Sequence, residues 1–304
     1  MLEIIKAIIY GIVEGVTEWL PISSTGHLIL VERLIPFNGT SENFFDMFDV
    51  VIQLGAILAV VVLFWNKIWP FYLKKNKKSK KGGVVRSEKD PAIKNVALSM
   101  DAFWMWVKIA VACIPAVVYG LLFDDAVSEA FKKPIGQNGV TVQVIVVAVM
   151  LILVGILFIV IENWNKNKVP TCTTLSQITY RDALFIGLCQ LVAAALPGTS
   201  RSGATIIGAL LIGVSRTVAA EYTFFLAIPV MFGASLLKVV KFGFGFTALE
   251  LVLLLIGTVV AFLVSLFVLR FLMGYIKKHD FKVFGWYRIV LGIIVLLYFG
   301  LIVK

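Results

Sequence analysis

The chain has 304 residues, 60% of them hydrophobic and 15% charged, with a mean hydropathy of +0.96 and a formal net charge of +10. Soluble domains are about 45–50% apolar and about 25% charged, so a soluble enzyme, a disordered chain and a disulfide scaffold are all excluded. Lys67, Lys74, Lys75, Lys77, Lys78, Lys80, Lys81, Arg86, Lys89 and Lys94, set against Glu88 and Asp90, place ten minus two, or +8, in one stretch, which is a loop property and not a nucleic-acid footprint.

A hydrocarbon core of roughly 30 Å takes about 20 helical residues. The chain opens on an apolar stretch, about 1–35, broken at Pro21-Ile22-Ser23-Ser24-Thr25-Gly26-His27. Glu3, Glu14 and Glu18 interrupt it, and it lacks the basic start and unbroken apolar run of a signal peptide. Spans are predicted at 47–65, 102–123 and 140–161, separated by the basic segment 66–100 and by 124–139 with Asp124, Asp125 and Glu129. The segment 162–182 carries Lys166, Lys168 and Arg181 and leads to a second broken stretch, 183–214, interrupted by Pro197-Gly198-Thr199-Ser200-Arg201-Ser202-Gly203. Three more spans are predicted at 219–240, 249–273 and 286–303, joined by 241–248 and by 274–285 with Lys277, Lys278 and Lys282. Neither half of a broken stretch crosses alone, and non-helical backbone survives at membrane depth only inside protein or around water. Two re-entrant helical hairpins are the economical reading.

The two broken stretches resemble each other. At an offset of 176, Gly11 falls on Gly187, Val16 on Val192, Leu20 on Leu196, Pro21 on Pro197 and Ser24 on Ser200, while Glu14 meets Gln190 and Ser23 meets Thr199. Lys and Arg gather on the cytoplasmic side, which puts 66–100, 162–182 and 274–285 inside and 124–139 and 241–248 outside. Three spans separate the hairpins, so the first enters from outside and the second from the cytoplasm. Such inverted-topology repeats place their site near the midplane. The expected fold is an all-α polytopic membrane protein: one integral-membrane domain over 1–304 with six transmembrane helices and two re-entrant hairpins. Repeat 1 covers about 1–161 and repeat 2 about 183–304. Cys113, Cys172 and Cys189 are odd in number and have no metal-site spacing, so a structural role is expected.

Ionisable groups inside a membrane cost about 2.5–3.5 kcal/mol each and mark function by default. Glu14, Glu18 and His27 stand out in the first hairpin and Arg201 in the second. Glu14 and Glu18 are four apart and share a helix face; two carboxylates so placed repel unless a cation or shared proton joins them, and a divalent metal with oxygen ligands would do so. Otherwise one caps a neighbouring helix and the other faces water. Ser23, Ser24, Thr25 and Gly26 read as a plain helix N-cap or as an anion site at a helix start. Gly198, Thr199, Ser200, Ser202 and Thr205 surround Arg201, whose guanidinium matches phosphate oxygens in a bidentate fork. His27 fits a nucleophile, a general base or an activator of Ser24, and the residues alone do not choose among these. His279, in a basic segment, reads as solvated. The set suits phosphoryl transfer, where positioning and charge neutralisation dominate.

The run Glu14-Gly15-Val16-Thr17-Glu18-Trp19-Leu20-Pro21-Ile22-Ser23-Ser24-Thr25-Gly26-His27 and the run Pro197-Gly198-Thr199-Ser200-Arg201-Ser202-Gly203-Ala204-Thr205 resemble the two signatures of the bacterial bacitracin-resistance family of undecaprenyl-diphosphate phosphatases. Phe48-Asp49-Val50-Val51-Ile52-Gln53-Leu54-Gly55 and Ala220-Glu221-Tyr222-Thr223-Phe224 extend the likeness over essentially the whole chain. The resemblance implies hydrolysis of undecaprenyl diphosphate to undecaprenyl phosphate and inorganic phosphate in the bacterial plasma membrane. It implies a divalent cation, Mg or Ca, on Glu14 and Glu18, a catalytic hydroxyl and imidazole at Ser24 and His27, and a phosphate contact at Arg201. The site would open on the extracytoplasmic side. Expected partners are a polyprenyl diphosphate and membrane lipids, with a homodimer left open and nucleic acid excluded.

Three other readings compete. An acid-phosphatase-like lipid phosphatase needs a His soon after its Ser-Arg pair, and neither Ser200-Arg201 nor Ser215-Arg216 has one. A polyprenyl-phosphate transporter would use the same midplane site without an attacking group. A structural protein that merely binds headgroups leaves the Arg and Glu/His clusters without purpose.

Overall fold

The computed structural model describes residues 1–73, 96–132, 134–135, 140–243 and 245–299. The core of the basic segment, 74–95, lies outside the described residues. Helices build the molecule in the order α1 (Leu2–Thr17), α2 (Ser24–Leu34), α3 (Phe44–Ile68), α4 (Met100–Leu122), α5 (Asp124–Lys132), α6 (Val142–Asn165), α7 (Tyr180–Ala195), α8 (Arg201–Leu211), α9 (Arg216–Phe242), α10 (Ala248–Tyr275) and α11 (Lys282–Leu297). The expectation of helices alone needs one correction. Two short antiparallel ladders, β1 (Phe71–Leu73) with β2 (Val96–Leu98) and β3 (Pro134–Ile135) with β4 (Val140–Thr141), close the connections on either side of α4 and α5.

Among the described residues, α3, α4, α6, α9 and α10 are long and apolar enough to cross a membrane. This is a polytopic membrane protein built almost wholly of helices. The sixth predicted span is α11, which has 16 residues and begins four residues earlier than the hydropathy suggested. Its start is fixed by polar contacts that hydropathy does not see: Glu162 accepts the Phe281 N–H at 3.0 Å, and Asp280 accepts that of Lys282 at 3.2 Å. The segment 124–139, read as a loop, contains α5. Elsewhere, hydroxyl caps set the starts: Thr179 with Asp182 before α7 and Thr247 with Glu250 before α10 form capping boxes.

The helices pair by close approach. α1 lies along α10, α7 along α4, α3 against α9 and α10, and α6 along α11. Small residues permit this, as in membrane bundles generally. A Cβ at Gly155 would stand 2.6 Å from the Gly285 carbonyl, and one at Gly187 would stand 2.3 Å from that of Ala112. Large apolar side chains such as Leu58, Val62, Ile156, Phe267, Phe271 and Trp286 remain exposed on the outside of the bundle. All three cysteines are free, and burial pushes the Cys172 thiol up, which makes it a poor nucleophile.

The two ends of the bundle sort by their contacts. At one end Lys6 donates to the Pro36 carbonyl at 2.5 Å, and the Ser41 N–H donates to Glu250 at 2.7 Å. At the other, Lys67 meets Glu221 at 2.7 Å, Arg216 clasps Glu162 with bonds at 2.5–3.1 Å, and Lys108 donates to the Ser176 carbonyl at 3.0 Å. The open ends of α1 and α2 belong to the first set. Those of α7 and α8 belong to the second, where Cys172 bridges Val214. The two turns that join these pairs meet in between.

Candidate active site

Each short pair turns through a break that ends on a serine in a costly conformation. Ser23 has φ 74° and ψ 101°, and Ser200 has φ 70° and ψ 119°. Non-glycine residues held at positive φ cost about 1–3 kcal/mol and gather at functional sites. Both serines are N-caps. Ser23 Oγ accepts the Gly26 N–H at 3.4 Å, and Ser200 Oγ accepts the Gly203 N–H at 3.2 Å. The two turns therefore correspond with Ser23 on Ser200 and Ser24 on Arg201, one residue later than the offset that matches their prolines. The second turn holds the extra residue at Gly198, whose φ is +88° and whose Cβ, if present, would lie 2.5 Å from the Val147 Cα. Only glycine fits there.

Glu18 ties the two turns together. It extends α1 by one helical residue, its N–H bonding the Glu14 carbonyl at 3.0 Å, so the two carboxylates do share a face. One Glu18 oxygen accepts the Ser24 hydroxyl at 2.9 Å, and the other is ion-paired with the Arg201 guanidinium. The Glu18 carbonyl accepts Ser202 Oγ at 3.2 Å, and Ser202 and Ser200 share a hydroxyl contact of 3.1 Å. The Arg201 guanidinium also lies 5.9 Å from the centre of the Trp19 ring, which is buried edge-on against Phe224. The network is largely buried: Glu18 is 7% exposed and Ser202 2%.

Behind both turns stands Arg288 on α11, wholly buried. Its guanidinium donates to the carbonyls of Pro21 at 3.2 Å, Gly198 at 2.8 Å and Thr199 at 2.9 Å. One side chain thus fixes the main chain of both breaks. Sequence reasoning passes over Arg288, although an arginine inside an apolar span is itself a signal.

A cavity of about 290 Å³ opens between the turns, lined by Glu18, Ser24, Thr25, Gly198, Ser200, Arg201 and Ser202 at its polar end. Two glutamines not expected in the site from sequence, Gln53 and Gln190, the repeat counterpart of Glu14, also line it. α4 and α9 supply Ala116, Val230, Met231 and Ala234, each group following a proline inside its helix, Pro115 or Pro229.

Other predicted residues lie outside this lining. Thr205 back-bonds to the carbonyls of Arg201 and Ser202 and pairs with Thr223 of α9 at 2.9 Å, which ties α8 to α9 and leaves its hydroxyl away from the cavity lining. Ser23 and Gly26 serve each other in the cap. His27 sits one turn beyond Ser24. Its Nδ1 faces the Ser23 carbonyl at 2.7 Å, and its Nε2 meets the Tyr287 hydroxyl at 2.7 Å. A carbonyl only accepts, so Nδ1 carries the proton. The ring also stacks on Tyr287 at 5.6 Å. His279, by contrast, is solvent-exposed and stacks on Tyr275 at 4.5 Å.

The carboxylates suit a hard cation. Both Glu14 oxygens are buried without a hydrogen-bond partner, as is Asp49 Oδ1, while Glu18 already serves Ser24 and Arg201. Among the described residues no three His, Cys, Asp or Glu side chains cluster as a ready-made metal cage. Magnesium in particular is held by one or two carboxylates plus substrate phosphates and water, so the donor set fits such an ion completed by its substrate.

Fold and cavity together define the class: a multi-pass membrane protein whose buried carboxylates, hydroxyls and guanidinium are gathered from two broken helix pairs. The family model described as Bacitracin resistance protein BacA matches residues 7–294. An undecaprenyl-diphosphatase of Desulfitobacterium hafniense is 59% identical over 300 residues, covering 99% of this chain and 97% of that protein. Undecaprenyl-diphosphatases of Enterococcus faecalis and Acetivibrio thermocellus are 57% and 54% identical, covering 97% and 98% of each chain respectively. The chain belongs to the BacA bacitracin-resistance family.

Proposed function

We infer that this protein is an enzyme that hydrolyses undecaprenyl diphosphate to undecaprenyl phosphate and inorganic phosphate, recycling the lipid carrier of cell-wall synthesis and conferring bacitracin resistance. Family membership over nearly the full length supports the reaction. The observation that carries the site is Glu18, which holds the Ser24 hydroxyl and the Arg201 guanidinium at one cavity.

In this reading the terminal phosphate enters between Ser24 and Arg201. It draws the guanidinium off Glu18 and frees that carboxylate to act as base. Ser24 Oγ forms a bond to the terminal phosphorus while its proton passes to Glu18. The bond from that phosphorus to the bridging oxygen breaks, and undecaprenyl phosphate leaves. Water then attacks the phosphoserine, gives a proton to the departing Ser24 oxygen by way of Glu18, and releases inorganic phosphate. Arg201, Ser200, Ser202, Thr199 and the Gly198 turn bind and orient the phosphoryl group. Thr25 lines the same end, and Ser23 and Gly26 hold the turn that presents Ser24. Both His27 nitrogens are occupied, by Ser23 and Tyr287, which favours Ser24 over His27 as nucleophile. Glu14 with Glu18 would hold a divalent cation of the Mg or Ca type, which when bound neutralises diphosphate charge.

The finer architecture belongs to the same proposal: six spans and two re-entrant hairpins in an inverted repeat, with repeat 1 at about 1–161 and repeat 2 at about 183–304. At 1.5 Å per residue the return arms α2 and α8, 11 residues each, reach about 16 Å, far short of a hydrocarbon core of roughly 30 Å, so each turns back with its first arm instead of crossing. The hairpins open toward opposite ends, and each first arm packs on the other half's penultimate long helix, α1 on α10 and α7 on α4. With the basic 66–100 segment taken as cytoplasmic, the first hairpin and the mouth of the site would face the extracytoplasmic side of the bacterial plasma membrane. No observation favours the transporter reading, which has no use for a Ser24–Glu18 pair.

The test is phosphate release from a soluble short-chain prenyl diphosphate by purified protein with metal present. The wild type turns over, and Glu18→Ala, Arg201→Ala and His27→Ala are each impaired, His27 through its hold on the Ser23–Ser24 turn. Wild-type turnover in all three would refute the site. A wild type that releases no phosphate would refute the enzyme and put transport first.

A further inference from the structure

Resting on the phosphatase reading, we propose that Gln190 binds the prenyl-linked phosphate, the one that stays with the lipid, and so forms a second phosphate subsite beside the Ser24–Arg201 seat. Gln190 lies on α7, where Gln190, Ala193 and Ala194 follow the three–four spacing of a single helix face and all line the cavity. Gln190 is only 2% exposed, yet both its amide nitrogen and its amide oxygen lack a hydrogen-bond partner. A buried amide left unpaired forfeits more free energy than its bonds would have contributed, so a fully unpaired one at a cavity wall points to a ligand.

Chemistry selects the ligand. Ser24, Arg201 and the hydroxyls around them engage the terminal phosphate, so the second phosphate and the first prenyl carbons meet the remaining lining. That lining is apolar, from Ala116 and Ala193 to Pro197, Val230 and Met231, and is relieved only by Gln53 and Gln190. The small side chains leave room for a prenyl chain. A primary amide presents two N–H donors to phosphate oxygens without a formal charge. In an amide-to-phosphate bond only the acceptor is ionised, so an amide at this subsite holds the diphosphate while letting the lipid monophosphate depart, whereas the added opposite charge of a Lys or Arg there would retain product.

The experiment compares two inhibitors of prenyl diphosphate turnover, a short-chain prenyl monophosphate and inorganic phosphate, on the wild type, Gln190→Ala and Gln190→Met. The inhibition constant for the prenyl monophosphate is expected to rise about 10- to 100-fold in both variants, the loss of one amide-to-phosphate bond, with that for inorganic phosphate unchanged. Gln190→Met keeps the side chain's length and carries the test if the alanine variant does not fold. Equal weakening of both inhibitors would make Gln190 a support for the whole site and overturn the assignment. Unchanged constants in an active enzyme would mean the amide serves only water, and would also overturn it. An inactive wild type would instead remove the phosphatase reading itself.

Discussion

Replacing Arg288 with Met probes the coupling between the two turns. Three carbonyls, from Pro21, Gly198 and Thr199, depend on this guanidinium, and no other described side chain bonds to them. Bonds to a charged donor contribute about 1.5–3 kcal/mol each, while the cost of burying an uncompensated guanidinium offsets several kcal/mol of their sum. The net loss expected is about 2–4 kcal/mol, concentrated where Ser24 and Arg201 are held, because the carbonyls are freed to rotate toward an anionic substrate. Since each 1.36 kcal/mol is tenfold in rate, kcat/KM should fall about 30- to 1000-fold. Arg288→Lys, which keeps the charge and one or two donors, should lie between the variant and the wild type. The assay is thermal unfolding in detergent run beside phosphate release over a range of prenyl diphosphate concentrations. A methionine variant with both Tm and kcat/KM at wild-type values would show that the turns hold their shape without Arg288, and would refute the coupling.

Gly198→Ala combines a positive φ with a clash on the Val147 backbone, at a cost of roughly 2–4 kcal/mol; a lower Tm and lost activity are expected, and an unaltered unfolding curve would rule out the tight fit. Arg201→Lys keeps the charge but not the planar fork, so KM should rise about tenfold or more with less effect on folding; an unchanged KM would remove Arg201 from the phosphate seat. A chelator should silence the wild type, and Glu14→Gln should raise the magnesium concentration for half-maximal activity by at least about tenfold. Full activity in the chelator would dispose of the cation. Glu162→Ala breaks the clasp with Arg216 and leaves the Phe281 N–H unpaired; Tm should drop while KM holds, and a shifted KM would mean that end of the bundle reaches the site.

Much of the architecture is legible in local pattern. Pro21 and Pro197 stand in the breaks that follow α1 and α7, and the hydroxyl clusters beside them cap α2 and α8. The long apolar runs became α3, α4, α6, α9 and α10. Other parts depend on neighbours remote in the chain. Arg288 reaches carbonyls 267, 90 and 89 residues away, and main-chain acceptors leave no trace in a motif. Tyr287, which fixes His27 from 260 residues off, is equally silent. Thr205 sits within a signature run, yet its direction on α8 turns its hydroxyl to Thr223, which composition does not reveal. The one-residue shift between the turns escaped alignment because matching prolines anchor it, whereas the strained caps Ser23 and Ser200 are the physical equivalents.

Ser24, poised on Glu18 at the junction of the two turns, is the group assigned here to attack the terminal phosphate. Single-turnover phosphate release from a soluble prenyl diphosphate, wild type against Ser24→Ala, addresses that assignment without intermediaries. A loss of at least about a thousandfold in the chemical step is expected, with substrate binding largely retained. A Ser24→Ala enzyme that releases phosphate within an order of magnitude of the wild-type rate would contradict it.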